Sequence, residues 1–222
     1  MGAAMTPTPE TPLDPSTAIG FVVERAGVEE SWKEIGHRTD DPSALVDSLA
    51  SAGLSTEALR CIAVAIPSRQ NIWWAWISAR HAIVAAADEG IPESPRIGEL
   101  LTLVERWIAA PDDATRRQIW AMAQALGIKH PVTLAAAALW FSGGSIAAAE
   151  GAPPVPAPPG MVATFVAAAV TVSTLQGPPD QMDTRVRNSV AQGLEIVTKL
   201  GGWATSIAYV RQEAAAQPTQ EA

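Results

Sequence analysis

The residues best equipped for chemistry lie in SRQNIWWAWISARH, Ser68 to His81, where three of the chain's eight tryptophans fall within four positions, between two arginines. On a helix at 100° per residue, Arg69, Trp73, Trp76 and Arg80 share one stripe. Gln70, Trp74, Ser78 and His81 run beside it. Guanidinium groups placed this way can stack over indole faces, each contact contributing roughly 0.5–2 kcal/mol according to how dry it is. The stripe reads in three ways. It is a core of tryptophans with arginines snorkelling at its rim, an aromatic–arginine face that grips a partner protein, or the wall of a small-molecule pocket. Neighbouring helical positions cannot all point one way, so at least one of Trp73, Trp74 and Trp76 must approach the edge of the core.

Other chemistries find little footing. His37, His81 and His130 lie on separate elements, and none forms an H-x-x-x-H pair or sits near a C-x-x-C, so no metal is expected. Asp40-Asp41 and Asp112-Asp113 stand at helix starts, where capping and the helix dipole explain them. FSGGS has a serine followed by glycines but lacks the strand–turn–helix context of a hydrolase nucleophile. The single Cys61 is flanked by Ala58, Leu59, Ile62 and Ala63, which predicts a buried, inert thiol. There is no nucleotide-binding glycine loop. No cofactor is expected.

The second unusual passage is LWFSGGSIA followed by APPVPAPPG over 152–160. Trp140 and Phe141 end a helix, the glycines permit a sharp reversal, and the prolines favour an extended polyproline II path. Such a segment either wraps back over the bundle or is exposed as a docking element for a partner, with Pro153, Pro154 and Pro156 among its contacts.

These residues are carried by an apolar, acidic chain. Of 222 residues 48% are hydrophobic and only 17% charged, against roughly 25% charged in typical soluble domains, so much of the chain must be buried or interfacial. A net charge of −8 argues against nucleic-acid and anionic-membrane partners. The apolar run Met161–Leu175 is shorter than the roughly 20 residues a bilayer requires. The N-terminus shows neither a basic nor an apolar leader. A cytoplasmic location follows as the expectation.

Helical grammar recurs throughout. A first helix follows Asp14-Pro15-Ser16. Asp41-Pro42 starts another that ends near Gly53, Ser55 caps a third, and 69–88 forms a long central helix apolar nearly all round. Ile97, Leu100, Leu101, Val104, Trp107 and Ile108 line one face of the next. Asp112 or Asp113 and then Pro131 open two more, and segments 161–175 and 179–200 complete the set. With no alternating β pattern, the fold class expected is all-α: a single orthogonal bundle of about eight helices. Residues 1–12 read as a disordered tail, 13–210 as the domain and 211–222 as a frayed end.

AIPSRQNIWWAWISARH, ERWIAAPDDATRRQIWAMAQALG and PVTLAAAALWFSGGS with its proline string together resemble an uncharacterised bacterial family of all-helical proteins, over about Cys61 to Gly201. That resemblance implies no activity, and a setting beside type VI secretion genes. The reading reached is a non-enzymatic adaptor or accessory factor that binds a protein partner. Arg69, Trp73, Trp76 and Arg80 form its first contact zone, and Trp140, Phe141 and the prolines its second. Two alternatives stand beside it. One is an enzyme or small-molecule binder with a pocket beside the Arg69–His81 helix, His81 as base and Arg80 as anion clamp. The other is a homo-oligomer subunit built on the alanine-rich helices after Met161.

Overall fold

The computed structural model describes residues 13–35, 40–147 and 152–216. Among them are eleven α-helices and no strand: α1 Ala18–Ala26, α2 Glu29–Ile35, α3 Pro42–Ser51, α4 Ser55–Ala63, α5 Ser68–Asp88, α6 Pro95–Ala109, α7 Asp113–Leu126, α8 Pro131–Trp140, α9 Met161–Thr174, α10 Met182–Lys199 and α11 Trp203–Ala216. The class is all-α, with eleven helices in place of about eight. A 3-10 turn over Pro179–Gln181 leads into α10, which therefore starts later than the prolines suggest.

The boundaries follow local chemistry. Asp41 accepts from Ser43 N with Pro42 in the first turn, and Asp112 accepts from Thr115 N. The helix over 55–63 starts on Ser55 but is capped at Leu54 without a side-chain bond. His130 caps α8: its Nδ1 accepts from Val132 N at 3.2 Å, while Thr133 Oγ1 accepts from His130 N at 3.1 Å.

Every residue of α8 is buried. It packs on α5, α7 and α9, and α9 in turn packs on α4, α5 and α10. Only a segment as rich in alanine as PVTLAAAALW can be surrounded this closely, because small side chains let neighbouring helix axes approach. Of the alanine-rich helices after Met161, α9 is at the centre of the bundle: Val166, Ala167, Ala169, Val170, Ser173 and Thr174 are all buried. Cys61 lies in the same core, and burial pushes its thiol up to about 12. Among the described residues no helix is long and apolar enough to cross a membrane.

Two helices were not foreseen. The seven-residue α2 has no fully buried residue, and its only large apolar residues, Trp32 and Ile35, are too few to show a period. The other is α11, whose stretch expected to fray from 211 is helical through Ala216. Tertiary bonds hold it. Trp203 Nε1 donates to Ser43 Oγ at 2.7 Å, Ser206 Oγ donates to the carbonyl of Ala65, and Arg211 Nη2 donates to Pro15 O at 2.8 Å.

Candidate functional site

The two arginine–tryptophan passages have different fates. On α5, Trp74 is fully buried, Trp76 is 7% exposed, and Trp73 is 38% exposed. Trp76 donates its indole N–H to Leu101 O at 3.1 Å, so it belongs to the seam with α6 and not to an open face. Arg80 lies over that indole at 5.7 Å. Arg69 does not stack; its guanidinium donates to Ile108 O and Ala109 O at 2.8 and 3.1 Å, closing the C-terminus of α6, where backbone carbonyls lack helical partners. Of the four residues singled out, Trp73 and Arg80 are exposed with no hydrogen bond to another element among the described residues, and Arg69 is exposed but spends its guanidinium on α6.

The denser cluster forms where α7 meets the end of α8. Arg116, 2% exposed, donates Nε to Asp113 Oδ1 at 2.8 Å, Nη1 to Trp140 O at 2.8 Å and Nη2 to Ser145 O at 2.9 Å. Arg117 holds the other carboxylate oxygen of Asp113 at 2.8 Å and the carbonyl of Ala147 at 3.2 Å. Arg116 and Arg117 lower the Asp113 pKa, chiefly through the Arg116 hydrogen bond. Arg116 sits 4.3 Å from the centre of the Trp140 ring, Trp120 stacks parallel to it at 5.4 Å, and Phe141 stacks on Phe165 at 5.3 Å. Trp140 is therefore buried, and of this pair only Phe141 reaches a cavity.

This clamp explains the Ser-Gly-Gly-Ser loop. Gly144 has φ 66°, and a Cβ there would stand 2.9 Å from Arg116 Nη2. The loop then fixes the proline string: Val155 N donates to Ser145 Oγ at 2.9 Å, and Ile146 N donates to Val155 O at 2.9 Å. Pro153, Pro154 and Val155 are exposed and Pro156 is half-buried. The string both packs back on the bundle and leaves its first residues outward.

Its far end, Ala157 to Gly160, forms one wall of a cavity of about 400 Å³, within the range of roughly 300–1,000 Å³ that holds small ligands. Phe21 and Arg25 of α1, Asn71 of α5, Phe141, Met161 of α9, and Arg211 and Glu213 of α11 complete much of the lining. Glu213 accepts from both Ser68 N and Ser68 Oγ at 2.9 Å, capping α5 from another helix. Asn71, 1% exposed, ties the α4–α5 turn by donating Nδ2 to Ala63 O at 2.7 Å. Arg80 and His81 do not line this cavity.

The histidines are dispersed. His37 lies outside the described residues, His81 is exposed, and His130 donates Nε2–H to Glu93 at 3.0 Å. No cluster of three or more His, Cys, Asp or Glu side chains suited to a metal ion occurs among the described residues. Burial lowers the His130 pKa, with Glu93 opposing it, so the neutral imidazole serves as cap. A depressed folded-state pKa means that the unfolded chain takes up the proton first. The stability from this residue is complete above about pH 6.5 and declines as pH falls toward the folded-state value. Thermal melts between pH 7.5 and 5 should show His130→Asn, a cap that does not titrate, losing less stability than the parent; parallel profiles would refute the assignment.

Residues 45–197 match a family of unknown function (DUF6931). The chain belongs to that family. No curated protein and no solved structure matches it. The matched span takes in the α5 stripe, the Arg116 clamp and the proline string, whereas Phe21, Arg25, Arg211 and Glu213 lie outside it. Reading the sequence missed these flanking residues, as it missed Arg116 and the bonds it makes. Phe21 and Arg25 are one helical turn apart on a short helix, a pattern too common to single out, and the short apolar stripe Trp203, Ile207 and Val210 of α11 points to the core without marking Arg211 or Glu213.

Proposed function

We propose that this DUF6931 protein is a non-enzymatic interaction module that docks a partner protein on the ledge Pro153–Pro154–Val155, with Trp73 and Arg80 as a second contact. The setting that its sequence resemblance suggests is an adaptor or accessory factor of a bacterial secretion apparatus. The observation carrying this reading is that the exposed prolines are already fastened. Both backbone polar groups of Val155, 41% exposed, bond to the Ser145–Ile146 segment, which Arg116 holds through Ser145 O. A preordered extended segment loses little entropy on binding and presents its side chains and free carbonyls in a fixed frame.

Photo-crosslinking in the native host tests this. A benzophenone side chain at Pro154 or Trp73 should capture one and the same protein, whereas the same group at Asn188, exposed on α10, should not. Ser145→Ala, which frees Val155 N, should lower capture at Pro154. A capture pattern at Pro154 indistinguishable from that at Asn188 would discard the reading.

A further inference from the structure

We infer that the cavity between α1, α5, α9, α11 and the end of the proline string is a binding site for a small amphipathic monocarboxylate, an acid with one negative charge and an aliphatic body. The inference concerns a different surface from the proline ledge and does not depend on it.

Charge is the first ground. The chain is strongly acidic overall, with a net charge of −8, yet the cavity lining carries two arginines and one carboxylate, a local excess of one positive charge. The carboxylate is committed, since Glu213 Oε2 accepts both the N–H and the hydroxyl of Ser68. The arginines keep donors in hand. Arg25 has no hydrogen-bond acceptor among the described residues and lies over the Phe21 ring at 5.7 Å. Arg211 lies over the same ring at 5.0 Å and uses only Nη2, toward Pro15 O and Ser16 O. Phe21 thus has two guanidinium groups against its ring, each with spare N–H donors, and a carboxylate accepts such donors from one guanidinium in pairs.

Shape and polarity are the second ground. Beyond these groups and Asn71, much of the wall is apolar, with Val64, Ile66, Phe141, Pro158, Met161 and Val210 contributing. An apolar body buried there gains the hydrophobic term while its head reaches the cations. Glu213 sets a limit on charge, because a second carboxylate in the same cavity would add to a lining that already holds one, which disfavours diacids. Both cations stand on helices outside the family-matched span, so the charge selectivity comes from this chain's flanking helices.

Calorimetric titration of the full chain with decanoate and decyltrimethylammonium below their micellar concentrations, and with decanol below its solubility limit, tests the assignment. Decanoate should bind one per chain, decanol about tenfold more weakly, as expected for losing hydrogen bonds to a charged partner, and the ammonium more weakly still. Arg25→Gln, which breaks no internal hydrogen bond, should bring decanoate toward decanol and leave decanol unchanged. Ala214→Trp, filling the rim, should abolish binding of both. Equal affinity for the three probes, preference for the cation, no binding, or binding that survives Ala214→Trp would each overturn the inference. A short apolar peptide with a free C-terminal carboxylate supplies the same chemistry from a protein chain; tighter binding of that peptide than of decanoate would overturn the assignment to a small acid.

Discussion

Replacing Arg116 with Met is expected to destabilise the protein by about 3–5 kcal/mol, the range for removing one partner from a buried ionic network. The orphaned groups decide the size. Asp113 keeps Arg117 and much of its solvent, so its carboxylate relaxes at little cost. The carbonyl of Trp140 has no such recourse, since its bond from Arg116 is buried, and that of Ser145 loses a donor in a half-buried loop; an unsatisfied buried acceptor costs about 1–3 kcal/mol. Met restores some apolar volume under Trp140 but donates nothing. Arg116→Lys should fall between, because one ammonium cannot reproduce a fork that reaches three acceptors. Chemical denaturation measures the loss directly, and tryptophan emission should shift to the red as Trp140 and Trp120 gain water. A loss below about 1 kcal/mol would show that the loop after α8 stands without its clamp, and with it would go the argument for a pre-fastened proline ledge.

The same residue shows why the fold was more legible than the site. Helix limits are written locally. Pro42, Pro95 and Pro131 occupy first turns, Asp41 and Asp112 cap, and an uncharged run such as PVTLAAAALW can only be interior. The all-α class follows from these signals. Which arginine meets which tryptophan does not. Arg80 over Trp76 lies four residues away on one helix and shows as a stripe. Arg116 over Trp140 joins residues 24 positions apart, and Asp113, three residues earlier, accounts for Arg116 locally as an ordinary i,i+3 pair. The cavity is further from reach still, since its charged groups come from opposite ends of the chain. Trp73, Trp74 and Trp76 illustrate the limit: periodicity separates their directions, but only the neighbours packed on α5 decide that Trp73 is the outward one. Likewise α11 is held by Trp203, Ser206 and Arg211 through bonds to residues far back in sequence, and those partners do not show in the window 203–216, where Trp203, Ile207 and Val210 give only a short apolar stripe.

Gly193→Val should produce the other large effect, a loss of about 3 kcal/mol, with Gly193→Ala near 2. Glycine inside a helix ordinarily costs about 0.8–1 kcal/mol relative to alanine, so propensity alone would make Gly193→Ala stabilising. Packing reverses the sign. A Cβ at 193 would stand 2.7 Å from Ile62 Cγ2 and 2.7 Å from Trp74 Cζ2, and neither neighbour has any exposure through which to move. Overpacking in a dense core costs about 1–3 kcal/mol, and two simultaneous contacts this short place it at the upper end. The valine adds a branch and no further propensity gain. Gly193 is thus the notch on α10 into which the indole of Trp74 fits. Trp74→Phe offers the decisive partner, because it removes the ring carbons nearest the notch and also an indole N–H that is buried without an acceptor. In the double variant Gly193→Ala/Trp74→Phe the two losses should fall short of their sum by about 1 kcal/mol or more, as expected for residues sharing one cavity. Strict additivity in denaturant melts of the four chains would mean that α10 shifts to admit the methyl group, and the notch would then be no constraint on how α10 seats against α4 and α5.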